Sequence, residues 1–117
     1  MSNIVIFVDG TAIAASTLLG LQRITGRGLA EIRTAIGKGK PIFQREIFDA
    51  NYEEHASMIR KIVACLKDDS VRERIYEIPE GETMESCSFA EDCQIDTEVL
   101  KSILDQADLE RDRQLGE

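Results

Sequence analysis

The sequence predicts an α+β fold: a two-layer sandwich with helices on one face of a three-stranded sheet, in the order β-α-α-β-α-β, plus a C-terminal helix. Three observations carry this reading. Residues 3–8 run apolar after a single asparagine, the mark of a strand covered on both faces. Up to Ile78 the apolar pattern alternates between helical spacing and short strand-like runs. Charge then divides the chain. Residues 1–78 hold eleven Lys/Arg and ten Asp/Glu, a net of +1, whereas residues 79–117 hold three and twelve, a net of −9. The reading is a near-neutral domain over 3–78, an acidic linker over 79–95 and a C-terminal helix over 96–113.

Each element has a local reason. After the first strand, Asp9-Gly10 signals a turn and Thr11 offers an N-cap. Ile13, Thr17, Leu21 and Ile24 then fall at helical spacing, with Ala14 and Leu18 widening the stripe. Thr25-Gly26-Arg27-Gly28 stops this helix, since either glycine can take the left-handed position that other residues avoid. A shorter helix follows from about Leu29 to Ile36, with Leu29, Ile32 and Ile36 inward. Gly37 to Pro41 is a turn, and Pro41 opens a strand over 42–48 without being able to sit centrally in one. Asp49-Ala50-Asn51 offers caps for a helix from Tyr52 to Lys67, striped by Tyr52, Ala56, Ile59, Val63 and Leu66. Val71 to Ile78 reads as the third strand. Residues 79–95 have no clear period and read as a loop. Asp96 caps a last helix with Val99, Leu100, Ile103, Leu104 and Ala107 on its apolar face.

The stretch Arg23 to Ile32, RITGRGLAEI, resembles the helix–glycine–helix signature of the C-terminal domain of the bacterial ribosomal stalk protein. That family typically reads Thr-Gly-Leu-Gly-Leu-Lys-Glu-Ala-Lys here. The likeness covers roughly residues 3–78, because a strand precedes the signature and a Lys-Pro turn, strand, helix and strand follow it. The same fold is shared with the Clp protease adaptor. The resemblance implies a two-layer fold and a docking role in which lysines of the glycine region contact translation factors. Carried over by position, the first lysine falls on Ala30 and the second on Arg33, and the leucine between the glycines is Arg27.

Chemistry-bearing motifs are few. The Gly26-x-Gly28 pair follows a helix, lacks a third glycine and has no Gly-Lys-Ser/Thr ending, so it reads as a helix turn and not a phosphate loop. His55 is the single histidine and stands beside Glu54 with no nucleophile or base arrayed around it in sequence. Five residues separate Cys87 from Cys93, too many for a zinc pair, and Cys65 lies far upstream. Three reduced thiols are the expectation, with Cys65 packed in its helix. No catalytic set, cofactor or metal is expected.

Composition bounds the rest. At 43% hydrophobic and 31% charged the chain is a globular domain and not a disordered one. The opening apolar run is too short for a secretory leader, no run approaches the ~20 residues of a membrane span, and the cysteine count is odd. A cytoplasmic location follows as the expectation. Direct nucleic-acid binding is not expected, because the acidic segment repels phosphate.

The candidate partner-binding residues are Arg27, Arg33 and Lys38 of the basic cluster between residues 23 and 45, and Glu80, Glu82, Glu85, Glu91 and Asp92 of the acidic segment. The reading is a non-catalytic protein-binding module with a basic protein as partner, in the form of a bacterial immunity protein that neutralises a basic, nuclease-like toxin. The alternative is an adaptor linked to translation or proteolysis that docks through its helix–Gly–helix face.

Overall fold

The computed structural model describes residues 3–9, 13–46, 52–69, 71–79 and 81–115. The elements are β1 (Asn3–Val8), α1 (Ala15–Thr25), α2 (Leu29–Gly37), β2 (Phe43–Glu46), α3 (Tyr52–Asp68), β3 (Glu73–Ile78), β4 (Gln94–Ile95) and α4 (Thr97–Leu115), with a 3-10 turn over Ala90–Cys93 before β4. The α+β class stands. The sheet, however, has four antiparallel strands in the order β2-β1-β3-β4, not three. The fourth lies in the segment expected to be a linker. Two residues are too few to show a strand period in sequence.

β1 explains the architecture. Its alternate residues serve two cores. Ile4, Ile6 and Val8 face the helices, in a cluster with Leu21, Ile32, Ile59, Ile62, Leu66 and Ile75. Val5 and Phe7 face the other way, in a second cluster with Tyr76, Ile78, Cys87 and Ala90. In register, Phe7 sits opposite Arg74 and Val5 opposite Tyr76. The second face is thus covered by residues 81–93, a cap of turns running into the 3-10 turn. Met84, Cys87, Ala90 and Cys93 all belong to that second core and fall every third residue, the repeat of a 3-10 path.

The helices follow their stripes with shifts. Thr17, Leu18 and Leu21 are buried on α1, while Ile13 and Ile24 are half-buried. Thr11 and residues 49–51, expected as caps, lie outside the described residues, as do 47 and 48 of the expected second strand. Gly26 takes the left-handed conformation (φ 73°), and its N–H donates to the carbonyl of Gln22; Gly28 stays extended as the N-cap of α2. On α2 the buried pair is Ile32 and Ala35, with Leu29 and Ile36 at the rim.

Asp96 caps α4 as expected, its carboxylate accepting from the Val99 N–H at 2.8 Å. Leu100 and Leu104 enter the main core, whereas Val99 is exposed. The Tyr52 hydroxyl donates to the Leu104 carbonyl (2.9 Å), and Arg60 meets Asp105 (3.2 Å) and Asp108 (2.7 Å). The hydrogen bond to Asp108, offset in part by burial, holds the Arg60 guanidinium above its ordinary range.

α1 crosses α3 at Gly20, where an added Cβ would stand 2.9 Å from the Cys65 sulfur. An alanine in a helix interior normally gains about 1 kcal/mol over glycine, but here the partly buried sulfur must leave its place or the two helices must move apart. Gly20→Ala is expected to destabilise by about 1 kcal/mol. In a double-mutant cycle with Cys65→Ala the coupling should exceed about 0.5 kcal/mol. Additive urea midpoints would show that the crossing is not tight.

Candidate functional site

Two charged surfaces stand out, one beside an edge strand and one over a face of the sheet. The first lies beside β2, where a groove of about 900 Å³ separates this edge strand from α2. Arg27, Lys38, Lys40 and Arg45 line it, with Glu31 as its one acid and Met58 of α3 on its wall. The turn Lys38–Pro41 positions the lysines: the Lys38 N–H donates to the Thr34 carbonyl and the Lys40 N–H to that of Ala35.

Arg27 is partly committed within the fold. Its Nε donates to Glu31 (2.9 Å) and one terminal nitrogen to the Ile42 carbonyl (2.9 Å). It therefore ties α2 to the start of β2. Lys38, Lys40 and Arg45 are exposed. Arg33 is also exposed but does not line the groove. Of the sequence candidates, then, Arg27 and Lys38 come together here and Arg33 stands apart. Lys40 and Arg45 join them, as the basic cluster in sequence allowed.

The second surface is the cap over the far sheet face. Residues 79–100 contain seven Asp/Glu and no Lys or Arg. Glu85, Glu91 and Asp92 are exposed, and Glu82 accepts a hydrogen bond from Ser86 (2.8 Å). Glu80 lies outside the described residues. Between them in sequence stands Phe89, 48% exposed, while the described aromatics Phe7, Phe43, Tyr52 and Tyr76 are buried. Sequence reading missed Phe89 as a surface residue. Its neighbours Cys87 and Ala90 are the buried ones, which an every-third-residue pattern from Met84 would have shown.

The cap is anchored from beneath. Phe7 and Tyr76 meet edge to face with centroids 5.6 Å apart, and the Arg74 guanidinium lies 4.8 Å over the Phe7 ring. Arg74 also donates to both Asp9 oxygens at 2.8 and 3.0 Å, and that bond above all raises its guanidinium further out of titration range.

No family model, curated protein or solved structure matches this chain.

Among the described residues no three of His, Cys, Asp or Glu gather as metal ligands, and no helix is long and apolar enough to cross a membrane. The three thiols are free. Burial pushes the Cys93 thiol up, and the adjoining Cys87 with the carboxylates of Asp92 and Glu77 adds to the shift. A thiol so held is protonated at neutral pH and unreactive. Iodoacetamide mapping should therefore find Cys93 modified more slowly than a free cysteine, with the rate still climbing with pH past the ordinary thiol pKa of 9.0, where that of a free cysteine levels off. Rapid labelling at pH 7 would refute that environment.

Proposed function

We propose that this chain is a non-catalytic protein-binding module whose acidic cap engages a basic protein, in the manner of an immunity protein that neutralises a nuclease-like toxin. One observation supports it most: an exposed aromatic, Phe89, on a sheet-anchored segment whose sequence carries seven acids and no base between residues 79 and 100. Interfaces gain much of their affinity from such a partly sunk aromatic, and charge complementarity speeds encounter and orients it. An anchored cap also spares the ordering cost that a mobile acidic tail would incur.

The test is capture from the native host, comparing wild type with a cap-reversed variant, Glu85→Lys/Glu91→Lys/Asp92→Lys, and with Phe89→Ala. The captured protein should be basic, and the reversed variant should bind it about a hundredfold more weakly. Phe89→Ala should lose about tenfold or more, with stability within about 0.5 kcal/mol of wild type. Recovery of ribosomes or elongation factors alone would overturn this reading. The adaptor reading keeps one supporting observation, the exposed Arg33 on α2, and it predicts that Arg33→Glu abolishes capture while cap reversal does not.

A further inference from the structure

We infer that the groove beside β2 is a second docking site, independent of the acidic cap, that accepts an extended acidic segment of a partner by adding it as a strand to the sheet. β2 ends the sheet, so among the described residues no strand lies along its outer side. An edge strand turns alternate N–H and C=O groups outward, a template for an incoming chain. Arg27 holds the carbonyls of Pro41 and Ile42 and so fixes the near end of the groove. Beyond it Phe43–Glu46 is the edge strand, with the Gln44 carbonyl accepting from the Arg45 guanidinium at 2.8 Å, a bond an incoming strand would have to share or displace.

Charge selects the occupant. The groove carries four cationic side chains, Arg27, Lys38, Lys40 and Arg45, against Glu31, which is already paired with Arg27. Lysines and arginines around an edge ordinarily keep identical edges from pairing, because basic meets basic. The same charges welcome an acidic strand, so exclusion of self and selection of the partner share one cause. The chain's other sheet edge, β4, is only two residues long and makes a poor strand donor for a second copy. A nucleic acid is disfavoured because the groove's aromatic, Phe43, is buried and offers no stacking face.

The experiment follows backbone amides of the full chain by NMR while three probes are titrated: an acetylated peptide of alternating Glu and Val about eight residues long, its Lys/Val counterpart, and a short oligothymidylate. The acidic peptide should shift Phe43–Arg45 and the α2 amides. Its affinity should fall about tenfold between roughly 20 and 200 mM salt. Lys38→Glu/Lys40→Glu should weaken it about tenfold or more with an unchanged melting temperature, since both side chains are exposed. The inference is overturned if the acidic peptide leaves the groove amides unshifted, if the Lys/Val peptide shifts those same amides equally, or if oligothymidylate binds them more tightly. None of these outcomes touches the cap's partner, so the two readings fail separately.

Discussion

A chain ending at Asp96 is expected not to fold cooperatively. Such a truncation removes α4, and with it Leu100 and Leu104, which are 2% and 1% exposed. Burial of two leucines is worth roughly 3–6 kcal/mol, against a total stability of about 5–15 kcal/mol for a domain. The truncation also strips the Tyr52 hydroxyl of its acceptor on Leu104 and Arg60 of both its aspartates. Losing the hydroxyl's partner costs about 1 kcal/mol more where water does not replace it. Far-UV circular dichroism with a urea titration checks this. A truncated chain that melts within a few degrees of the full one would show that α4 is an appendage. Deleting the whole acidic segment is for the same reason no clean test of binding; charge reversal on the surface is.

The second large effect is expected at Phe7. Phe7→Ala should cost about 3–5 kcal/mol, because a 6%-exposed ring is lost from a small core. The loss goes beyond area, since the ring also meets Tyr76 edge to face and carries Arg74 above it. The cap should loosen before the helical layer does. Hydrogen exchange is the measurement: amides at 84–93 should lose protection more than those of α3. Uniform loss would show that the two faces of the sheet unfold as one unit.

These two sites also show what the sequence revealed and why. The unbroken apolar run of β1 announced a strand covered twice, and it is, by helices on one side and the cap on the other. Pro41 announced the start of a strand, and β2 begins two residues after it. Helical stripes placed α1 to α4 because a sustained period survives noise. The cap was hidden because its inward residues are small or soft, Met84, Cys87, Ala90 and Cys93, and four acids, Glu82, Glu85, Glu91 and Asp92, are interspersed with them. A helical or strand period does not fit their spacing, and only a repeat of three does. The charged surfaces were legible as clusters in sequence. What sequence could not give was the side each takes: Arg27 folded partly inward, Arg33 away from the groove, and Phe89 outward among acids.

The central place of β1 has a consequence for how the chain is made. Its sequence, NIVIFV, is uncharged, free of proline and strongly strand-forming, the profile of a segment that seeds intermolecular sheets. Its strand partners both follow it in the chain, β2 about forty residues on and β3 about seventy, and the cap and α4 come later still. During synthesis this sticky segment therefore waits for everything that shelters it. Chaperone dependence and inclusion-body formation should track that wait, so codon changes that slow translation between β1 and α4 would lower soluble yield without altering a single residue.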